Sequence, residues 1–186
     1  MSTRLDRLWQ SDRLHSSEHL TYRSSPSGHR FDGTAVLLRH GQPTTIVWSI
    51  EIDPTWRCSN AHVTVSGASD EDLRIAVDHD QHWTMNGQHL VELDACIDLD
   101  LGWTPATNTL PIRRLELNVG NTTSIEAAWL RYPDLDLVRS TQTYQRLDHT
   151  RWRYSSGNFS ADLDVTPDGI VTTYGDIWRT IEDPTD

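Results

Sequence analysis

Apolar and polar residues alternate one by one through most of this chain. A period of two restricts such a chain to strands that bury one face and expose the other. In TIVWSIEID, Ile46, Trp48, Ile50 and Ile52 point one way, while Ser49, Glu51 and Asp53 point the other. DLRIAVD sets Leu73, Ile75 and Val77 on one face. CIDLDLGW opposes Ile97, Leu99, Leu101 and Trp103 to Cys96, Asp98 and Asp100. NFSADLDV opposes Phe159, Ala161, Leu163 and Val165 to Ser160, Asp162 and Asp164. The breaks between runs carry turn chemistry. Asn86-Gly87 suits a type I′ hairpin, and Thr166-Pro167-Asp168-Gly169 suits a turn with proline second and glycine fourth. Gly41, Gly67, Gly120 and Gly157 mark further junctions. Helix signals are confined to a short face of Leu5, Leu8 and Trp9, which could equally begin a strand, and to at most one turn around Asp70–Leu73.

These signals predict an all-β fold, a many-stranded antiparallel barrel or roll enclosing a cavity with little helix. The length of 186 residues suits one domain spanning 1–186. Eight tryptophans supply core area that a modest apolar content would otherwise lack. All 16 basic residues are arginine, and the formal net charge is −11. That balance argues against nucleic acid, which requires a basic footprint, and against anionic membrane surfaces. An acidic, lysine-free surface suits a high-salt cytoplasm, the source favoured here, or a high-GC genome. Cys58 and Cys96 form no motif and are expected to be free thiols in a reducing compartment. The N-terminal stretch has no apolar export segment, and no run approaches the length of a membrane span. The chain is therefore expected in the cytoplasm.

Several groupings resemble chemistry. Asp78, Asp80 and His82 of DHDQHW would share one face of a strand, as metal ligands can, but the segment precedes the Asn86-Gly87 turn and reads as a solvated loop. No metal is expected. Nucleophile motifs and a phosphate-cradling glycine loop are missing, and no cofactor is expected. The pairs Asp98/Asp100, Asp134/Asp136 and Asp162/Asp164 have a spacing that some glycosidases use, and it also fits an acidic solvent face. In LPIRRLELNVG, alternation continued as a strand puts Arg113 with Leu115, Leu117 and Val119, and Arg114 with Ile112 and Glu116. Structural ion pairs are expected among Asp98, Asp100, Arg113 and Arg114, and Arg113 is also a candidate ligand contact because its fork of donors suits an anionic or sugar head group. Thr104, Thr107 and Asn108 lie in a loop restrained by Pro105 and Pro111, as a pocket rim would.

The segment ACIDLDLGWTPATNTLPIRRLEL closely resembles the signature of a glycolipid-binding family of bacterial and archaeal proteins. The matching positions are Cys96, Asp98, Asp100, Thr104, Pro105, Thr107–Ile112, Arg113, Arg114 and Leu115. RFDGTAVL (30–37), YPDLDLVRSTQTYQRL (132–147) and the pattern from Phe159 to Tyr174 extend the resemblance over nearly the whole chain. It implies a rolled or barrel-like sheet similar to periplasmic lipoprotein carriers, although this chain shows no export signal and lipoprotein carriage is not expected. A curled sheet encloses a cavity. The expected ligand is a lipid-like or glycolipid-like amphiphile, walled by Trp83 and Trp103 with Thr107, Asn108 and Arg113 at its head group. Two rivals stand beside that reading. One is a hydrolase or isomerase using Asp98, Asp100 and Arg113, which requires at least two of them in one cleft. The other is an assembly module pairing through an exposed sheet edge.

Overall fold

The computed structural model describes residues 3–67 and 69–181. Eight strands form the first half: β1 (Thr3–Ser11), β2 (Ser16–Ser25), β3 (Gly28–Arg39), β4 (Gln42–Ile52), β5 (Cys58–Ser66), β6 (Glu71–Val77), β7 (Trp83–Met85) and β8 (Gln88–His89). After a 3-10 turn at Val91–Leu93 come β9 (Asp98–Leu101), a second 3-10 turn at Ala106–Asn108 and α1 (Thr109–Leu115). The second half adds β10 (Thr122–Leu130), β11 (Leu137–Arg146), β12 (Arg151–Ser156), β13 (Phe159–Val165), β14 (Val171–Tyr174) and β15 (Trp178–Thr180).

All these strands join one sheet in the order β8-β7-β6-β5-β4-β3-β2-β1-β15-β14-β13-β12-β11-β10-β9. Each half is a meander of neighbouring antiparallel strands. Their junction is β1 against β15, with Trp9 opposite Thr180 and Gln10 opposite Arg179. β9 runs parallel to β10, so the sheet is mixed rather than wholly antiparallel. Parallel neighbours need a crossover, and the 3-10 turn with α1 supplies it. Of the two expected forms, barrel or roll, the sheet takes the roll: β8 and β9 terminate it without pairing to each other. Side chains span its seam. The Trp83 indole donates to the Cys96 carbonyl at 2.9 Å, and Arg139 donates to the carbonyls of Glu92 and Asp94, each at 2.7 Å. Nearby, Arg39 reaches the Pro133 carbonyl at 2.7 Å.

The alternation read from the sequence becomes continuous rows across strands. Leu20, Gly33, Trp48, Val63 and Leu73 stand opposite one another from β2 to β6. Tyr22, Phe31, Ile50, Ala61 and Ile75 form the next row. Glycine is required at one place in the first row. A Cβ on Gly33 would lie 2.1 Å from Cε2 of the Trp48 indole, which lies across it. This lets Trp48 reach over β3 and donate its N–H to Glu18 at 2.9 Å.

Glu18 is fully buried and its second carboxylate oxygen has no hydrogen-bond partner among the described residues. Burial pushes its carboxyl up to about 8, against the weaker opposing effects of Thr104 and Trp48. It is therefore a neutral acid at pH 7. Two segments read as uncertain between helix and strand lie within β1 and at the start of β6. The segment read as a second strand, from Leu110 onward, is instead α1. Pro105 precedes a 3-10 turn, the Thr104 hydroxyl accepts the Ala106 N–H at 3.1 Å, and Pro111 sits in the first helical turn, where it is tolerated. No helix among the described residues is long and apolar enough to cross a membrane.

Two predictions follow from this packing. Gly33→Ala forces the Trp48 ring aside and should cost about 1–3 kcal/mol, read as a lowered thermal midpoint. Adding Trp48→Leu should make the double variant less unstable than the sum of the two single losses; strict additivity would refute the clash. For Glu18, the folded chain holds a proton that the unfolded chain releases between about 4.5 and about 8. Its contribution to stability is then full at low pH and is lost as pH rises through that window. Glu18→Gln should bring little change at pH 5 and a thermal midpoint increasingly above wild type towards pH 8. Parallel melting curves across that range would contradict the protonated state.

Candidate functional site

β9 presents Asp98 and Asp100 towards the interior, while Leu99 and Leu101 are buried on its other face. Alternation placed the two acids on a polar, solvent-facing side; the structure corrects this because the crossover folds back over them. Asp98 meets Arg114 through two hydrogen bonds, Nε to Oδ1 at 3.1 Å and Nη2 to Oδ2 at 2.5 Å. The pair is almost enclosed, with side-chain exposures of 2% for Asp98 and 16% for Arg114. Burial raises the Asp98 carboxyl, and Arg114 opposes that rise.

Asp100 is held differently. Gln142 donates its amide to Oδ2 at 2.7 Å, and Thr107 donates its hydroxyl to Oδ1 at 3.1 Å. The Thr107 oxygen in turn accepts the Leu101 N–H at 3.2 Å, which fixes the crossover loop to β9. Asn108 accepts the Tyr144 hydroxyl at 2.9 Å and donates to the Pro105 carbonyl at 3.2 Å. Among the described residues Asp100 has no ion-pair partner. Burial pushes its carboxyl up to about 6, Gln142 and Thr107 oppose that, and Asp98 adds a smaller upward push.

Asp100 forms the floor of a cavity of about 460 Å³, within the range of small-molecule sites. Thr104 and Asn108 border the same floor. The walls are aromatic: Trp129 from β10, Tyr154 from β12, Phe159 from β13, Tyr174 from β14 and Trp178 from β15. Tyr154, Phe159 and Tyr174 contact one another with ring centroids 5.9–6.1 Å apart. Burial raises the hydroxyl pKa of both tyrosines, so they are neutral donors in ordinary solution. Arg13 stands at the rim, 3.8 Å from Asp176.

The other predicted site residues fall elsewhere. Trp83 and Trp103 are fully buried in the main core and do not border this cavity. Arg113 does not border the cavity, its side chain leaving α1 about 100° round from that of Arg114. Its guanidinium stacks over Trp56 at 5.1 Å from the ring centroid, and Trp56 stacks on His29 at 3.9 Å. Of Asp98, Asp100 and Arg113, only Asp100 borders the cavity. Trp129, Tyr154, Tyr174, Trp178 and Gln142 were missed, because each reaches the site by tertiary folding from a strand remote from the motif.

Two other places were weighed. A wider surface depression of about 640 Å³ is lined by Arg4, Arg23, Arg30 and Glu51. Its arginines are already matched to carboxylates, Arg4 to Asp6, Arg23 to Asp32, and Arg30 to Asp32 and Glu51. Asp78, Asp80 and His82 do bring ligand atoms within 4.8 Å of one another, all exposed. Asp78 is occupied within its own loop, accepting the Asp80 and His82 N–H groups at 2.9 Å and His82 Nδ1 at 3.0 Å. The two cysteines are free and buried.

Residues 6–180 match the sequence pattern of the family described as "Putative glycolipid-binding". A crystal structure of a DUF1089 family protein from Pseudomonas aeruginosa, at 1.80 Å resolution, superposes with a TM-score of 0.81 and 28% identity. The match covers 89% of this chain and 92% of that one. No curated protein matches this chain. With its signature residues placed on β9, the crossover and α1, the chain belongs to the Putative glycolipid-binding family.

Proposed function

We propose that the protein holds a glycolipid-like amphiphile non-covalently in the cavity above Asp100. One observation carries the reading: a half-buried carboxylate, Asp100, lies with Thr104 and Asn108 in the lining of an aromatic-walled cavity. Aromatic faces cover apolar chains and sugar rings alike, because they offer large area at little cost in side-chain entropy. Asp100, Thr104 and Asn108 supply the few fixed polar groups that orient a head group. The family membership points the same way. A hydrolase or isomerase built on Asp98, Asp100 and Arg113 gains nothing from the geometry, since Asp98 is engaged by Arg114 and Arg113 does not border the cavity.

The test is uptake of a neutral apolar fluorophore, N-phenyl-1-naphthylamine, and its displacement by alkyl-chain ligands. One saturable site is expected. Trp129→Ala should weaken uptake by about tenfold, consistent with the loss of one aromatic anchor. Trp83→Phe should lower the thermal midpoint and leave uptake unchanged, because Trp83 belongs to the core. No uptake by the wild type, together with a clean apo mass by native mass spectrometry of gently purified protein, would refute the proposal.

A further inference from the structure

The two interior acids of β9 have been given different partners. Asp98 has a full guanidinium. Asp100, two residues on, has only an amide and a hydroxyl, both neutral. A shortage of cations does not explain this, for the chain carries 16 arginines. The arginine at the cavity rim, Arg13, is 3.8 Å from Asp176, and both are largely exposed. Asp100 is half-buried, and an ionised carboxylate drawn partly out of water without a counter-charge is stabilised when a cation arrives. The cavity that Asp100 borders is also lined by Trp129, Tyr154, Tyr174 and Trp178. Aromatic faces attract cations through the ring quadrupole, most strongly when water is excluded.

We infer that the head group accepted here is cationic, a protonated amine or quaternary ammonium seated between Asp100 and the aromatic wall. This rests on the cavity being a ligand site, and it narrows the ligand from amphiphiles in general to amine-bearing ones. A neutral sugar could hydrogen-bond to Asp100, but it would leave the charge uncompensated. The charged and titratable groups around Asp100 favour the same class. Asp98 and Arg114 cancel each other. Glu18, behind Thr104, is neutral at pH 7, as are Tyr144, Tyr154 and Tyr174. Arg13 at the rim is offset by Asp176. Asp100 itself is ionised above about pH 6.

The experiment compares two ligands of equal chain length, octyltrimethylammonium and octyl glucoside, on the full chain below their micelle concentrations. Binding is followed by tryptophan fluorescence and calorimetry. Salt at about 0.3 M screens loose attraction to the acidic surface. One site is expected, with the ammonium ligand bound at least about tenfold more tightly. Asp100→Asn should abolish that preference, bringing the ammonium affinity down to that of octyl glucoside. If this variant does not fold, the wild type supplies the same test. Its ammonium affinity should fall about tenfold from pH 7 to pH 5 as Asp100 takes up its proton, and the preference over octyl glucoside should shrink with it. Equal affinity for the two ligands, or a preference that survives Asp100→Asn, overturns the cationic head group and leaves the amphiphile reading standing. Failure of both ligands to bind, with no uptake of the neutral fluorophore, overturns both.

Discussion

Everything at the cavity depends on the bond between Arg114 and Asp98. β9 is the last strand of the sheet and pairs on one side only, with β10. The helix that follows must lie inside the roll, where the backbone ladder offers it no partner. A nearly enclosed guanidinium with two hydrogen bonds to one carboxylate fastens α1 to β9 at a fixed distance and rotation. Such a pair contributes little net stability over an apolar substitute, but losing one partner strands a buried charge. Its effect here is one of placement. With α1 fixed, the preceding turn brings Thr107 onto Asp100 and Asn108 onto Tyr144, and the floor of the cavity takes shape.

Three interior acids show three ways of keeping a carboxyl out of water. Asp98 has an opposite charge. Glu18 keeps its proton and accepts the Trp48 indole N–H, while its second oxygen has no partner among the described residues. Asp100 has two neutral donors and stays near the balance point between its forms. The first solution is complete within the protein. The third is not, and it is the one that opens onto the cavity. A similar asymmetry runs through the arginines. Four on the outer surface meet an acid on the neighbouring strand: Arg23 with Asp32, Arg30 with Glu51, Arg151 with Asp164 and Arg153 with Asp162. Those exposed pairs contribute little individually, and they leave the inner face to set the specificity.

The sequence was most legible where one face of a strand is buried. Ile46, Trp48, Ile50 and Ile52 alternate because β4 lies mid-sheet with one side on the core, and Asn86-Gly87 turns because both residues adopt positive φ, 51° and 79°. Legibility failed at α1 for a physical reason. Its seven residues span two turns, too few to show a helical period, and Arg113, Leu115 and Leu117 happen to mimic alternation. The proline and threonine positions that start it were visible, but were read as a rigid loop. The site was legible in part: Asp100, Thr107 and Asn108 lie within one motif. Its walls were not, because Trp129, Tyr154 and Tyr174 become neighbours only when the sheet curls. Alternation tells which residues share a face, not which stretch of that face remains uncovered. For the same reason Trp83 and Trp103 could not be told from cavity-lining tryptophans.

Where the inner face stays uncovered follows from how the two halves pack. The larger buried cluster draws mainly on the first meander and includes Leu101, Leu110 and Trp178. A second, smaller cluster of Ile112, Tyr144, Trp152, Tyr154 and Leu163 belongs to the later strands. α1 divides them, sending Leu110 to one and Ile112 to the other. The cavity is lined by members of both, Leu101 and Trp178 from the first cluster and Tyr154 and Phe159 from the second, and so lies at their boundary. A gap of this size in a core forfeits the contacts of every atom that lines it. The two glycines on its border answer to the local backbone: a Cβ on Gly102 would lie 3.0 Å from the Tyr132 nitrogen and from the Trp129 indole nitrogen, and Gly157 turns at a φ of 55°. Polar tips on an otherwise apolar wall would be poor filling for a core and are suitable for a guest that brings its own charge. The open seam of the roll and the interior helix thus have one structural consequence in common: they keep two packed clusters from merging, and the space between them is where a ligand can be held.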